Sequence, residues 1–168
     1  MNFAVILLGS NDGNLLQNLQ VARTSIRRTI GNIQLLSPIY ETDPWGKTDQ
    51  PVFLNQVLAI HTTRDAKAVM SQLLLIETEM GRERKEKWAK RLIDLDLLYF
   101  NDEVICQPGL DVPHPHLHER RFTLVPLAEI LPGFIHPVFG KSNRELLREL
   151  SDNTSVRKFS VEHDAGKL

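Results

Sequence analysis

Two aspartates stand at alternate positions in the segment RLIDLDLLYF, residues 91–100. Because side chains alternate along a β-strand, Asp94 and Asp96 would share one face of it. The other face would carry Ile93, Leu95, Leu97 and Tyr99. Two like charges about 7 Å apart on a strand need a counter-charge, and two carboxylates beside substrate phosphates are a usual way to hold Mg²⁺. An amphipathic strand with a solvated acidic face is the alternative, and the segment alone leaves both interpretations open.

A cationic segment leads directly into these aspartates. It contributes Arg82, Arg84, Lys85, Lys87, Lys90 and Arg91. Such a run is usually a solvated surface, and we expect a mobile loop here. Metal ions and guanidinium groups around one point are also what phosphoryl transfer requires, because its catalysis consists of positioning and charge stabilisation. The pattern G-x-x-x-x-G-K-[ST] does not occur in the chain, which excludes a P-loop.

Three histidines alternate in DVPHPHLHERRF, residues 111–122. His114, His116 and His118 suggest a zinc site by their spacing. Two prolines confine this backbone, however, and neither a cysteine nor an HExxH motif supports zinc. A histidine beside arginines is a better phosphate contact, and the segment offers His114 with Arg120 and Arg121.

Phe53 and Asn55 lie at alternate positions of another apolar segment, after a loop rich in turn-forming residues at 43–51. An aromatic ring beside an amide is most often plain packing. The same pair can also stack on a flat heterocycle and hydrogen-bond to its edge.

The elements that would carry these residues follow from apolar patterning and from helix and strand end signals. We expect strands at 3–8, 33–40, 52–62 and 93–100. One helix begins at a cap among residues 10–12 and ends at Gly31, and a second runs from Thr63 or Asp65 to Gly81. The order strand, helix, strand, strand, helix, strand predicts an α+β, ferredoxin-like βαββαβ fold with both helices on one face of an antiparallel sheet. A loop, short helices near 122–131 and 143–150 and a polar tail from about Ser151 would follow as a C-terminal helical extension.

Composition narrows the class of protein. The 168 residues are 42% hydrophobic and 24% charged, which is typical of one globular domain. The 20 basic and 21 acidic residues nearly cancel, so we expect no nucleic-acid partner. The longest apolar run, residues 3–8, is far shorter than the roughly 20 residues that a membrane helix needs, and it lacks the basic flank of a signal peptide.

We therefore expect a single cytoplasmic domain over residues 1–160, with a polar tail at 161–168. Cys106 is the only cysteine, which excludes a disulfide framework. We expect it to be a small, buried or half-buried residue.

Several segments together closely resemble the 6-hydroxymethyl-7,8-dihydropterin pyrophosphokinase family of folate biosynthesis. They are LLGSN (7–11), YETDPWG (40–46), FLNQV (53–57), IETEMGRERKEKWAKRLIDLDLLYF (76–100) and VPHPHLHERRFTLVPLAEI (112–130). The resemblance implies a ferredoxin-like fold, with ATP as co-substrate and two Mg²⁺ ions. It also implies attack of the pterin hydroxymethyl oxygen on the β-phosphorus of ATP, with AMP as the leaving group.

The resemblance also implies roles for individual residues. Asp94 and Asp96 would hold the metal ions, while Arg82 and Arg91 would neutralise phosphate charge in the transition state. The residues near ATP would be Glu77, Arg84, Lys87, Trp88, His114 and Arg120. The residues around the pterin would be Thr42, Pro44, Trp45, Phe53, Asn55, Asp94 and Phe122.

Two other classes remain as alternatives. One is a pterin- or nucleotide-binding protein without transfer activity, against which the paired aspartates and flanking arginines argue. The other is a small nucleic-acid module, which would need exposed aromatic residues on the sheet and a basic face. We expect a monomer that acts on small molecules, with no membrane or nucleic-acid partner.

Overall fold

The computed structural model describes residues 1–43, 51–81 and 92–160. The strands are β1 Asn2–Ser10, β2 Asn32–Leu36, β3 Tyr40–Thr42, β4 Phe53–Thr62, β5 Asp94–Phe100, β6 Ile105–Gln107, β7 Leu110–Val112 and β8 Val156–Lys158. The α-helices are α1 Leu15–Thr29, α2 Ala66–Glu79, α3 Arg121–Ile130 and α4 Asn143–Glu149, and a 3₁₀ turn spans Leu117–Glu119.

The main sheet has the order β5-β1-β4-β3-β8, and β2 pairs with the other half of β4. Its strand pairs are all antiparallel. With α1 after β1 and α2 after β4, this is the βαββαβ arrangement, so the predicted ferredoxin-like α+β fold is confirmed.

The first two helices cover one face of this sheet, as predicted. Asn14 caps α1 by accepting a hydrogen bond from the Gln17 N–H, and Asp65 caps α2 by accepting one from Ala68. The cap of α1 thus lies later than the expected residues 10–12, whereas Asp65 was one of the two predicted caps. The buried residues of this α1–α2 face form one cluster, which includes Ala4, Ile6, Leu8, Leu19, Ile26, Leu58, Ile60 and Leu73.

The opposite face of the sheet is covered by the C-terminal helices. This α3–α4 face includes Val5, Leu7, Val57, Ala59, Tyr99, Leu124 and Leu127. The Tyr99 hydroxyl donates to Asn143 Oδ1 over 2.7 Å, and Asn143 itself is fully buried. The hydrogen bond satisfies both polar groups where β5 meets α4.

A bulge in β5 corrects one prediction. Ile6 pairs with Leu97 and Val5 pairs with Tyr99, so Leu98 is an extra residue on β5. One extra residue reverses the alternation beyond it. Tyr99 therefore lies on the α3–α4 face, and the prediction that it shares a face with Leu95 and Leu97 is wrong.

Other differences lie at the edges of the sheet. The expected strand at 33–40 is divided into β2 and β3 around Pro38, with an irregular register near Ile33. Part of the segment expected as a polar tail after Ser151 forms β8. The loop expected after the fourth strand begins with the β6–β7 hairpin. Cys106 lies in that hairpin and is exposed, so the prediction of a buried or half-buried thiol is wrong.

Within the three described ranges, none of the helices combines the length and the apolar character needed to cross a membrane.

Candidate active site

A row of paired residues crosses the sheet at one end of its α3–α4 face. Gly9 of β1 pairs with Asp94 of β5 on one side and with Asn55 of β4 on the other. A Cβ atom at Gly9 would lie 2.9 Å from Asn55 Nδ2 and 4.0 Å from the Asp94 Cβ. The absence of a side chain at Gly9 thus leaves room for the Asn55 amide, with Asp94 on the other side of β1.

The two aspartates share this face, as the alternation predicted. Asp96 pairs with Leu7, which belongs to the α3–α4 cluster, and Asp94 lies two residues earlier on the same side of β5. Both are half-buried, and the Asp96 side chain is 37% exposed. The carboxylates are therefore held on a strand yet remain accessible to a ligand.

His114 lies beside the second aspartate. Its Nε2 is 4.0 Å from Asp96 Oδ1, and its Nδ1 accepts a hydrogen bond from the His116 backbone N–H over 3.2 Å. The backbone N–H of His114 donates to the Leu98 carbonyl oxygen over 3.0 Å, which ties this loop to β5. Because Nδ1 is the acceptor, a neutral ring carries its proton on Nε2, the atom that faces the carboxylate.

Burial lowers the pKa of His114 below its usual value of 6.5. Arg120 and His116 act in the same direction as burial, while Asp96 and Asp111 raise the pKa. Desolvation is the largest cause, because burial disfavours the charged imidazolium. A neutral His114 that donates from Nε2 is the form that this environment favours.

The histidine segment does not converge on one point. His116 Nδ1 is 2.9 Å from Glu119 Oε2, while the His118 ring lies 4.5 Å from the ring of Phe139. In the part of the chain that the structure describes, no group of three or more His, Cys, Asp or Glu side chains could hold a metal ion. The donor set of Asp94 and Asp96 is two hard oxygen ligands, which fits a Mg²⁺ ion completed by water and phosphate oxygens.

Two residues of the predicted pterin set lie beside Asn55. Thr42 pairs with Phe53, and Tyr40 pairs with Asn55, so these four side chains occupy the same face. Thr42 is 4% exposed, and its hydroxyl has no hydrogen-bond partner within residues 1–43, 51–81 and 92–160. An unpaired buried hydroxyl is costly, and a ligand's polar edge would satisfy it.

The first turn of α3 contributes the last predicted pterin residue. Phe122 is half-buried at the border of the α3–α4 cluster, and the Arg120 guanidinium carbon is 5.7 Å from the centre of its ring. A guanidinium over an aromatic face is attracted by the ring's quadrupole. This contact places a cation and an aromatic ring together, next to the loop that carries His114.

Glu77 has a different position from the rest of the predicted ATP set. It is 2% exposed in α2, and its Oε1 accepts a hydrogen bond from the Leu95 backbone N–H over 2.9 Å. Leu95 is the residue between the two aspartates. The carboxylate is therefore bound to the backbone of β5, and its contact with ATP stays a prediction.

The remaining predicted residues lie outside the described part of the chain. They are Pro44 and Trp45 of the pterin set, and Arg82, Arg84, Lys87, Trp88 and Arg91 of the catalytic and ATP sets. Sequence reasoning missed Gly9 and Tyr40 as members of the row. A glycine that closes a run of buried apolar residues was the available signal for Gly9.

The chain is similar in sequence to known proteins. A model of the family described as 7,8-dihydro-6-hydroxymethylpterin-pyrophosphokinase (HPPK) matches residues 5–132. The 2-amino-4-hydroxy-6-hydroxymethyldihydropteridine pyrophosphokinase of Aquifex aeolicus is 37% identical over 152 residues, which is 90% of this chain and 92% of that protein. The enzyme of the same name from Bacillus subtilis is 42% identical over 130 residues, covering 77% of this chain and 78% of that one.

Solved structures show the same fold. The wild-type HPPK-DHPS protein of Plasmodium falciparum aligns with a TM-score of 0.73 at 19% identity, and the A437G form with SDX-DHP with a TM-score of 0.74 at 20% identity. Each alignment covers 88% of this chain but only 44% and 45% of those longer chains. At this identity the likeness concerns the fold alone.

The family match over most of the chain and the relatives above 30% identity lead to one conclusion. The chain belongs to the 7,8-dihydro-6-hydroxymethylpterin-pyrophosphokinase family and is an enzyme of the diphosphotransferase class.

Proposed function

We propose that this enzyme transfers the pyrophosphoryl group of ATP to the hydroxymethyl group of 6-hydroxymethyl-7,8-dihydropterin, in folate biosynthesis. The observation that carries the proposal is the row across β1. Gly9 leaves room for the Asn55 amide on the face that also carries Asp94, so the carboxylate pair and an amide lie on one side of the sheet. Phosphate chemistry and heterocycle recognition would then meet at a single point.

The carboxylates of Asp94 and Asp96 would hold two Mg²⁺ ions together with the triphosphate. When bound, these ions neutralise phosphate charge and polarise the phosphorus–oxygen bonds. The reaction itself is a displacement at the β-phosphorus. The pterin hydroxyl loses its proton and its oxygen bonds to the β-phosphorus, while the bond to the oxygen that bridges to the α-phosphorus breaks and AMP leaves.

The cationic residues would position the triphosphate. The Nε2–H of neutral His114 can donate to a phosphate oxygen, and Arg120 can pair with a second one. Arg82 and Arg91 would neutralise the charge that develops in the transition state. The other members of the proposed ATP set are Glu77, Arg84, Lys87 and Trp88.

The pterin would bind at the other end of the row. Its ring would stack between Phe53 and Phe122, since offset aromatic pairs add to the free energy of burial. The Thr42 hydroxyl and the Asn55 amide would hydrogen-bond to its polar edge, with Pro44, Trp45 and Asp94 completing the pocket. The amide is already oriented, because Asn55 Nδ2 donates to the Leu8 carbonyl oxygen over 3.4 Å.

Both substrates are small molecules, and we propose that the enzyme acts in the cytoplasm as a monomer. Neither a nucleic acid nor a membrane has a part in this reaction.

Product analysis with ATP, Mg²⁺ and the hydroxymethyl-dihydropterin tests the proposal. We expect AMP and the pterin diphosphate in equal amounts, and chelation of Mg²⁺ should stop both. ADP as the product would contradict transfer of pyrophosphate. Binding of the pterin without either nucleotide product would indicate a binding protein without transfer activity.

A further inference from the structure

The C-terminal strand β8 extends the sheet beside the proposed pterin pocket. It pairs antiparallel with β3, with Thr42 opposite Val156 and Glu41 opposite Arg157. One residue further, the Phe159 N–H donates to the Ile39 carbonyl oxygen over 2.8 Å, and the Phe159 ring contacts the α1–α2 cluster. The last described residues of the chain thus hold the whole length of β3.

Arg157 bridges the two acidic residues on either side of Thr42. Its guanidinium nitrogens lie 3.1 and 3.3 Å from the two Asp43 carboxylate oxygens, and one of them lies 3.3 Å from Glu41 Oε1. A two-point pair of this kind fixes orientation as well as distance. The hydrogen bonds from Arg157 hold the pKa of Asp43 below its usual value, so this carboxylate is ionised at neutral pH.

Thr42 is the residue that this bridge constrains. Directly opposed residues of an antiparallel pair lie side by side on one face, so Thr42 lies between Phe53 of β4 and Val156 of β8. Its buried hydroxyl has no partner among the described residues. Any shift at the end of β3 would therefore move a polar group that the proposed function places at the pterin edge.

We propose that Arg157 is a positioning residue for pterin recognition, which acts by fixing the end of β3 through Glu41 and Asp43. The inference deepens the proposed function and rests on it, because it assumes that the pterin binds beside Thr42. Arg157 itself touches neither the reacting atoms nor the metal ligands. Its effect belongs to binding of the pterin and not to ATP binding or to the chemical step.

The test compares four variants of the full chain, three at Arg157 and one control. Arg157→Gln removes the positive charge and the planar guanidinium that pairs with two oxygens at once. Arg157→Glu places a third carboxylate beside Glu41 and Asp43. The matched control is Lys158→Gln on the same strand, because Lys158 pairs instead with Glu129 of α3 over 3.0 Å. Steady-state kinetics with each substrate varied in turn, and a thermal melt of each variant, are the measurements.

We expect Arg157→Gln to raise the KM for the pterin about two- to fivefold, the range that the free energy of an exposed ion pair allows. Arg157→Glu should raise it further, about tenfold. The KM for ATP and kcat should stay within twofold of wild type, and Lys158→Gln should resemble wild type throughout. The KM of Arg157→Lys for the pterin should lie between those of wild type and Arg157→Gln, because lysine keeps the charge but cannot pair with two oxygens as the planar guanidinium does.

Two results would overturn the inference while the proposed function stands. One is an active wild-type enzyme in which folded Arg157→Glu keeps the wild-type KM for the pterin. The other is a lower melting temperature with both KM values and kcat unchanged, which is what a purely structural strand predicts. A wild-type protein that forms no pterin diphosphate would instead overturn the proposed function, and this inference with it.

Discussion

The two faces of the central sheet have different tasks. On the α1–α2 face, the strands contribute mainly apolar side chains, among them Ile6 of β1, Ile60 of β4 and Phe100 of β5. On the α3–α4 face, apolar packing under the C-terminal helices gives way at one end to Asp94, Asp96 and Asn55. The first face is mainly apolar core, and the second is a core that ends in a candidate active site.

The difference shows how one strand can serve both stability and function. β1 is buried on both faces from Ala4 to Leu8, so it anchors the sheet whichever way its side chains point. β5 alternates, with Leu95 in the α1–α2 core and its two aspartate neighbours on the other face. Substitutions on the α1–α2 face should therefore change stability, whereas those at the polar end of the α3–α4 face should change activity.

The largest expected effect is on activity, from Asp96→Asn. The substitution removes a carboxylate ligand without changing side-chain size, so we expect kcat to fall by about 10³-fold or more. The free energy of unfolding should stay near that of wild type, because the Asp96 side chain is 37% exposed. Product formation at saturating ATP and Mg²⁺, together with urea denaturation, measures both quantities.

Asp102→Asn is the matched control, since Asp102 is an exposed carboxylate in the turn that follows β5. It should leave kcat unchanged. Substantial turnover by Asp96→Asn would show that Asp96 is not a metal ligand.

Much of the contrast between the two faces of the sheet could be predicted from the sequence. Alternation in residues 93–97 places the aspartates on one face, and the order of apolar segments gives the βαββαβ fold. The bulge at Leu98 was not predictable, because an extra residue in an apolar run leaves the composition of the run unchanged. β8 was missed because a three-residue strand among polar residues is stabilised by its pairing with β3 and not by a periodic apolar pattern.

The candidate site was predictable only in part, because residue types can be recognised in the sequence but their arrangement in space cannot. Carboxylates on a strand and histidines near arginines suggest chemistry by residue type, as Asp96 and His114 did. The contribution of Gly9 arises only when β4 and β5 pair on either side of β1, which is a property of the tertiary fold. The same holds for the unpaired hydroxyl of Thr42.

The second largest expected effect is on stability, from Leu73→Ala on the α1–α2 face. Leu73 of α2 is completely buried, and Leu73→Ala should lower the free energy of unfolding by about 2–5 kcal/mol through lost burial and an unfilled cavity. Urea denaturation measures this loss. The kinetic constants of the folded variant should equal those of wild type, because Leu73 lies on the face away from the aspartates.

Leu75 of the same helix is 47% exposed and provides the comparison. Leu75→Ala should change the free energy of unfolding by no more than about 0.5 kcal/mol. A large and specific loss of kcat in Leu73→Ala would show that the two faces are not independent.

The apolar part of the α3–α4 face should show a pH dependence of stability. His136 is 3% exposed, and its Nδ1 accepts hydrogen bonds from the backbone N–H groups of Val138 and Phe139. Burial, and secondarily the nearby His118, lower the pKa of His136 from 6.5 to about 4. Because the unfolded chain binds this proton more readily, stability is complete above about pH 6.5 and is lost as the pH falls toward 4, by at most about 3 kcal/mol.

Urea denaturation at a series of pH values between 7.5 and 4 measures this loss of stability. In His136→Asn, the Oδ1 atom can replace Nδ1 as the acceptor but does not titrate in this range. The variant should therefore show a shallower fall in the free energy of unfolding. An equal fall in wild type and variant would mean that other groups carry the pH dependence.

Gly9→Ala should give the smallest effect, at the point where strand packing and the site meet. The added Cβ would lie 2.9 Å from Asn55 Nδ2 but 4.0 Å from the Asp94 Cβ, so the amide has to move and the carboxylate does not. We expect the KM for the pterin to rise about tenfold, a loss of roughly 1.4 kcal/mol. The KM for ATP should change little, and kcat should fall less than the pterin KM rises.

Gly133→Ala is the control, because a Cβ there would meet no heavy atom within 4 Å. Gly31→Ala supplies the opposite case, since its Cβ would lie 2.1 Å from the His61 carbonyl oxygen, away from the proposed pocket. That variant should lose stability while the folded enzyme keeps the wild-type KM for the pterin. If Gly9→Ala behaved like Gly31→Ala, Gly9 would matter only for strand packing, and the polar end of the α3–α4 face would not be the pterin pocket.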